Sequence, residues 1–460
     1  MSEPRSIGIV GGGIAGLSAA HWLVRNRPSV NVTLLESGAR LGGKILTERV
    51  QNFVVEAGPD SFLASKPEGL ALCKELGIED QLVSSIQENR GSFVALDGAL
   101  HAIPEGLSGL IPTRLDSVMS SSLFTGEGKE RFAGEPSVPA RPGDDDESLA
   151  GFVERRFGSE AYSHLIEPLM AGIYAGDGRE LSLKATFPQL RVLEQTYGSV
   201  LRGLQATAST KEQRTEKQGF LTPSKGMGEI VGALRPALRS VNVRLGAVVR
   251  AIRRRRSGFR LEVDDSESLD VDRVVVATPA HISALLLSEM DVELSQELEA
   301  IPHVSSATVS LAFLRTEVQH PLHGYGYIIP RVSGSPVLAC TWASSKYLGR
   351  SPKGHVLLRA FVGRRGLEEA VELGHEEIVE LVRDELGNRL GIEAKPELER
   401  VHRWPKGMPQ YALGHPNRVV RIGILLENNV GVQLAGNAYQ GVGIPDCIRS
   451  GELAAAAAVK

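Results

Sequence analysis

The sequence predicts an α/β protein organised around a dinucleotide-binding, Rossmann-like domain, accompanied by a mixed-sheet domain and an inserted helical domain. Three observations predict it. The apolar run Ile7, Ile9, Val10 leads straight into Gly11, Gly13 and Gly16, spaced G-x-G-x-x-G. A second apolar run, Val32 to Leu35, ends on Glu36, twenty residues beyond Gly16. Strand-like alternation from Val304 to Gly363 is separated from these by a stretch of different character, Pro104 to about Gly219. The expected boundaries are 1–88, 219–295 and 431–460 for the dinucleotide domain, 89–105 and 296–430 for the sheet domain, and 106–218 for the helical insertion.

The opening glycines each answer a geometric need. Gly11 permits the tight turn, Gly13 lets a pyrophosphate approach the backbone, and Gly16 lets the helix from Leu17 to Val24 pack on the strand. Gly12, Ile14 and Ala15 complete the turn, whose free N–H groups at a helix start favour an anion. Glu36 stands where a carboxylate accepts hydrogen bonds from both ribose hydroxyls and repels a 2′-phosphate.

Composition bounds the partners. With 460 residues, 42% hydrophobic and 23% charged, the chain reads as an ordinary soluble protein of two or three domains. A net charge of −4 gives no reason to expect nucleic acid. Cys73, Cys340 and Cys447 are scattered, which suits a reducing compartment and gives neither a disulfide framework nor a metal pattern. The first strand starts almost at Met1, and no apolar run approaches the ~20 residues that span a bilayer. The expected location is cytoplasmic, with no transmembrane segment.

Beyond Glu36 the chain reads Ser37-Gly38-Ala39-Arg40-Leu41-Gly42-Gly43-Lys44. This resembles the E-x-x-x-R-x-G-G motif of the large flavoprotein group, which implies Arg40, Gly42, Gly43 and Lys44 along the diphosphate and flavin side of FAD. Next comes Glu56-Ala57-Gly58-Pro59-Asp60-Ser61-Phe62-Leu63. That block resembles the porphyrinogen oxidases of haem biosynthesis, above all the soluble bacterial coproporphyrinogen III oxidase type, in a fold of the flavin amine oxidase kind. The resemblance implies Gly58, Pro59, Asp60 and Ser61 along the isoalloxazine and Lys66 near a substrate propionate. An arginine marks the protoporphyrinogen IX type where this chain has Ser92, ahead of a hairpin turning at Asp97-Gly98.

The inserted region carries Asp144-Asp145-Asp146-Glu147 before a helix near Leu149, read as capping and solvation. It then carries Glu167-Pro168-Leu169-Met170-Ala171-Gly172-Ile173-Tyr174-Ala175-Gly176-Asp177, which resembles another block of the same family. The resemblance implies a macrocycle close to Gly172 and Ala175, with Ile173 and Tyr174 as apolar walls. Gln205 to Gln218 lacks periodicity and is read as a loop, and Arg253 to Arg256 as a solvated turn.

Further blocks match the family in turn. The resemblance implies that Val248 offers its backbone to the adenine, that Ala277 ends a buried strand beside the cofactor, that Ile328 and Phe361 clamp the macrocycle, and that Trp404 lies near FAD. In the last motif a strand ends at Gly436, and the helix start at Val442, Gly443 and Ile444 faces the flavin pyrimidine ring. Cys447 lies too late for the covalent attachment seen in monoamine oxidases, so FAD is expected to be non-covalent.

What the resemblance implies is six-electron dehydrogenation of a porphyrinogen to a porphyrin, with oxygen reoxidising the flavin to hydrogen peroxide. Coproporphyrinogen III is the expected substrate, protoporphyrinogen IX the alternative, and a transient contact with the next enzyme of the pathway is implied. No catalytic base stands out. Two other classes share part of the pattern: a flavin amine oxidase or carotenoid desaturase, and a non-catalytic flavin-binding module. The first should lack the G-P-D-S-F and G-I-Y-A-G-D blocks, and the second would leave an apolar substrate domain without purpose.

Overall fold

The computed structural model describes residues 4–211, 219–264 and 266–460, without the side chains of 208–211. Its first layer is a five-stranded parallel sheet in the spatial order Asn242–Leu245, Asn31–Glu36, Ser6–Val10, Arg273–Val276, Val432–Leu434. Successive strand residues point to opposite faces. Ile7, Ile9, Leu34 and Val275 accordingly join one core with the helices Ile14–Asn26 and Ile444–Ala458. Val10, Leu35, Val274 and Val276 join another, under a three-stranded antiparallel sheet of Val249–Arg254, Phe259–Val263 and Glu267–Val271. The two helices lie so close that a Cβ on Gly451 would strike the carbonyl oxygen of Ala15.

The second layer is a seven-stranded mixed sheet: Leu398–Pro409, His303–Leu314, His355–Val362, Val337–Trp342, Gly326–Ile328, Phe93–Leu96, Ala99–Ala102. Its pairs are antiparallel except Gly326–Ile328 with Phe93–Leu96. Register decides its two faces. Val309, Leu311, Leu358, Ala360, Val362, Cys340 and Trp342 are buried with Ile378, Val382 and Leu386 of the helix His375–Leu390. The opposite face carries Thr308 paired with Phe361, Ser310 with Arg359, and Ala339 with both Ile328 and Phe361. That second face is the one that meets the dinucleotide side.

Between Leu115 and Lys211 the chain is helical around Phe132, Phe152, Phe157 and Leu165. Arg156 and Glu135, both fully buried, pair there. Two expectations change. Val200–Lys211 is a helix, so Gln205 to Lys211 is not loop, and residues 212–218 lie outside the described residues. Leu201 and Leu204 are buried one turn apart, and this short seam outweighs the polar tail of the segment. Among the acids before Leu149, Asp144 pairs with Lys184, Asp146 accepts from the Ser182 hydroxyl and the Gly414 N–H, and Glu147 pairs with Arg141 and Arg155. The cap itself is Ser148, whose hydroxyl accepts from the Gly151 N–H at 3.0 Å. The Arg253 to Arg256 turn is exposed as expected, with surface pairs of Arg253 to Glu262 and Glu289 and of Arg255 to Asp270.

Candidate active site

The glycine turn folds as its spacing demands. Gly11, at φ +107°, sits where a Cβ would meet the carbonyl oxygen of Ala277 at 2.7 Å, and a Cβ on Gly16 would strike the carbonyl of Gly11. A Cβ on Gly13 would meet nothing within 4 Å, so this one position opens outward rather than into protein. The Gly42-Gly43 turn lies directly alongside, with Gly42 N–H donating to the Gly12 carbonyl at 2.8 Å. Ile14 and Ala15 put their side chains in the core and contribute only backbone at the helix start.

Glu36 ends its strand with one carboxylate oxygen accepting from the Gly12 N–H at 2.7 Å and the other from the Gly38 N–H at 2.7 Å. The oxygen that faces Gly12 retains a lone pair for a ribose hydroxyl. Ser37 donates weakly to the same carboxylate at 3.4 Å. The Arg40 guanidinium spans the carbonyls of Leu41, Gly43 and Ile45, at 3.2, 2.6 and 3.1 Å, and so braces the double-glycine turn. Val248 also has local partners, its N–H donating to the Asp264 carboxylate at 3.3 Å and its carbonyl accepting from the Asp264 N–H at 2.8 Å. Adenine recognition there has to displace or share the first of these.

The turn from Glu56 to Ser61 is held from the seven-stranded sheet. The Ala57 carbonyl accepts from the Thr308 hydroxyl at 2.8 Å and from Trp404 Nε1 at 2.9 Å. Arg359 donates to the carbonyls of Gly58 and Glu56 at 2.9 and 3.2 Å. Its other terminal nitrogen lies 3.1 Å from Asp60, which also pairs with Lys346 at 3.0 Å and accepts from the Ser61 hydroxyl at 2.7 Å. Burial alone would raise the Asp60 carboxyl, but Lys346 and Arg359 outweigh it and hold it well below the usual carboxylate range. Glu56 goes the other way: burial pushes it up despite the Thr47 hydroxyl, the Met227 N–H and Arg350. Pro59 is half-buried within this turn.

On the far side, Ile328 and Phe361 are half-buried against one apolar cluster of Ala171, Ala175, Val304, Leu338 and Ala339. Arg359 lies over the Phe361 ring, 4.7 Å from its centroid. Ala175 ends the helix Glu167–Tyr174 in a left-handed conformation, φ +51°. Gly172 and Ile173 are exposed on that helix, whereas Tyr174 is buried, its ring against Phe187 and Tyr411. The expectation that Tyr174 forms an open wall is therefore corrected: helical periodicity turns it into the core while Ile173 faces out. The Lys66 ammonium is held by both Asp446 oxygens at 2.7 and 2.6 Å, with its side chain 43% exposed, so a propionate there would share it with that carboxylate.

Asp446 belongs to the helix Ile444–Ala458, whose first turn follows Gly443. Its carboxylate accepts from the Gly443 N–H at 3.2 Å. The preceding loop, Gly436 to Val442, is tied by Tyr411, whose hydroxyl donates to the Asn437 carbonyl at 2.7 Å and accepts from the Gly441 N–H at 2.8 Å. Gly436 itself, φ +129°, donates to the Ser450 hydroxyl at 3.0 Å.

Comparison with known proteins agrees with this arrangement. The family model described as flavin containing amine oxidoreductase matches residues 14–459. A coproporphyrinogen III oxidase of Bacillus subtilis is 38% identical over 97% of this chain and 96% of its own length. The chain belongs to the porphyrinogen oxidases of the flavin-containing amine oxidoreductase family. A protoporphyrinogen oxidase of Bos taurus is 30% identical over 98% of both chains. The solved structure of a protein provisionally assigned as a protoporphyrinogen oxidase, from Exiguobacterium sp. 255-15, superposes with a TM-score of 0.87 at 34% identity over 98% of both chains. As a member of the porphyrinogen oxidases the protein is an oxidoreductase that uses FAD and oxidises a porphyrinogen to a porphyrin.

The residues present fit FAD. The outward opening at Gly13, the spare lone pair on Glu36 and the Lys44 ammonium all favour a dinucleotide. Lys44 has neither a carboxylate partner nor a hydrogen bond among the described residues, and burial lowers its pKa. Among the described residues no group of three or more His, Cys, Asp or Glu side chains is arranged for a metal, and no helix is long and apolar enough to cross a membrane. Sequence reasoning missed Thr308, Lys346, Arg359 and Tyr411. Arg359 had a signal: it is the one charge inside the apolar run Val356 to Val362.

Proposed function

We propose that the protein oxidises coproporphyrinogen III to coproporphyrin III, each porphyrinogen giving up six electrons and six protons to three molecules of oxygen as three of hydrogen peroxide. The observation that carries the substrate choice is Ser92. It immediately precedes the strand Phe93–Leu96, whose Val94 pairs with Ile328. A short neutral side chain there leaves room and water for an additional propionate, where an arginine would fill the space. An unpaired carboxylate shut away from water is very costly. The 38% identity to a coproporphyrinogen III oxidase against 30% to a protoporphyrinogen oxidase supports the same choice.

The chemistry FAD supplies when bound is two-electron acceptance, three rounds of which complete the porphyrin. Thr308, Trp404 and Arg359 fix the backbone of Glu56 to Ser61 against the isoalloxazine, while Ile328, Phe361 and Ala175 give the macrocycle an apolar seat. The N–H groups at Val442 and Ile444 would stabilise negative charge on the reduced ring, while that of Gly443 is held by Asp446. Gly11, Gly12, Gly13, Gly42, Gly43 and Lys44 hold the diphosphate. Attachment is read as non-covalent, since Cys447 lies beyond Gly443, inside the helix Ile444–Ala458, and is buried. The division into FAD, substrate and helical domains, a cytoplasmic location and hand-over of the porphyrin to the next enzyme by brief contact belong to the same reading. The test is growth of porphyrin fluorescence in air with each porphyrinogen offered to the FAD-loaded protein. A higher kcat/KM for coproporphyrinogen III is expected, and a clear preference for protoporphyrinogen IX overturns the choice.

A further inference from the structure

We infer that Arg331 is a positioning residue for the porphyrinogen: it clamps together the three chain segments that carry Ile328, Ala175 and Phe361, and so sets the width of the macrocycle seat. The inference rests on the reading of those three residues as that seat and is independent of which porphyrinogen is oxidised. Arg331 comes three residues after Ile328. Its guanidinium donates to the Gly176 carbonyl at 3.0 Å and to the Arg365 carbonyl at 2.8 Å. Its backbone N–H donates to a Glu167 carboxylate oxygen at 2.9 Å. Gly176 adjoins Ala175, and Arg365 lies four residues beyond Phe361. One side chain thus joins all three walls of the seat.

The helix Glu167–Tyr174 is held by Arg331 at both ends, through Glu167 in its first turn and Gly176 just past its last. The carbonyls at a helix C-terminus have no partner inside the helix. Here those of Tyr174, Ala175 and Gly176 accept in turn from Gln410 Nε2 at 2.8 Å, from the Arg365 N–H at 2.8 Å and from Arg331. Ala175 between them is left-handed at φ +51° without being glycine. A residue in that region persists only where its surroundings over-determine it. The donors that do so come from the mixed-sheet side of the chain, Arg331 from 155 residues beyond Gly176.

Charge shows that the clamp is mechanical rather than a propionate site. Glu167 is buried, and its second carboxylate oxygen lies 3.6 Å from Arg331 Nε and 3.8 Å from Arg364 Nη1. Asp177 stands 3.9 Å from the same Arg331 Nε. Two carboxylates therefore balance two guanidinium groups, and the cluster has no surplus charge for an incoming anion. Both terminal nitrogens of Arg331 are committed to carbonyls, and its Nε is buried toward the carboxylates. Arg364 adds a further tie, donating to the carbonyl of Ile329, the residue after Ile328, at 2.7 Å. Apolar walls fixed in this way grip the macrocycle alike before and during hydride loss, which is binding expressed in KM rather than kcat.

The test is steady-state kinetics of the FAD-loaded protein with each porphyrinogen, alongside the Kd of FAD for the apoprotein. Arg331→Met, shown by circular dichroism to be folded, keeps an apolar stem and loses the donors. It should raise KM roughly tenfold and leave kcat and the FAD Kd within about threefold of wild type. The rise should be similar for coproporphyrinogen III and protoporphyrinogen IX, because no propionate is involved. Arg331→Lys restores a charged donor and should recover most of the KM. Glu167→Gln keeps an acceptor for the Arg331 N–H and removes the charge; it serves as the second variant should Arg331→Met not fold, and should raise KM by a smaller factor. An unchanged KM in the folded variants, a rise confined to coproporphyrinogen III, or a loss of FAD affinity as large as the rise in KM would overturn the inference. A wild type that prefers protoporphyrinogen IX overturns the substrate choice alone, since the same comparison of KM values still decides the clamp.

Discussion

Asp60 shows how much of the site rests on single buried charges. Its carboxylate is 16% exposed and lies between Lys346 and Arg359, and the same Arg359 holds the Gly58 carbonyl. A carboxyl held below its unfolded pKa stabilises the fold above that unfolded pKa, and the contribution is lost as pH falls through the folded value. Acid unfolding should therefore begin later in wild type than in Asp60→Asn. The variant leaves both cations uncompensated, a loss on the order of 3–5 kcal/mol when one partner of a buried pair is removed. Urea midpoints at about pH 7 and about pH 4 measure this, and a larger deficit at the lower pH contradicts it. Glu36→Ala removes a charged acceptor, so FAD affinity of the apoprotein should fall roughly 10- to 150-fold in a binding titration. Asp60 was legible through its motif, but its partners were not. Lys346 lies 286 residues along the chain, and a contact made by sheet register leaves no local pattern.

At the scale of elements, two helices carry the cofactor side. Ile444–Ala458 crosses Ile14–Asn26 at Gly451, close enough that any side chain there meets the Ala15 carbonyl. Gly451→Val should destabilise the protein by about 1–3 kcal/mol through overpacking, and it should shift the Gly443 end of the helix. Thermal unfolding with and without FAD checks both effects, and an unchanged Tm together with unchanged FAD retention refutes the packing account. These helices were readable because glycine spacing and an abrupt apolar onset mark them. The Asp97-Gly98 hairpin was equally readable, and both turn residues have positive φ, 48° and 81°. The helix through Gln205 to Lys211 was not, since its buried residues occupy only its first turns and the remainder is polar. Tyr174 fails similarly: the motif named the segment, but only the packing of Phe187 and Tyr411 decides which way the ring points.

For the whole molecule, the decisive arrangement is two sheets meeting across one crevice. The parallel sheet presents backbone at Gly11 to Gly13 and the carboxylate of Glu36. The mixed sheet presents Thr308, Arg359, Phe361 and Trp404 on the single face that its helix leaves uncovered. On the proposed reading, a cofactor held by the first and a porphyrinogen seated on the second would be brought together, which is what hydride transfer between them requires. Parity along each strand was visible in the sequence, but strand order was not, so the convergence of Ile328, Ala175 and Phe361 emerges only in the fold. The measurement that tests this account most directly is steady-state porphyrin formation by the FAD-loaded protein in air. Coproporphyrinogen III should be converted to coproporphyrin III well above its spontaneous oxidation, at a kcat/KM higher than for protoporphyrinogen IX. Conversion of neither porphyrinogen above the spontaneous rate, with FAD bound, would contradict it.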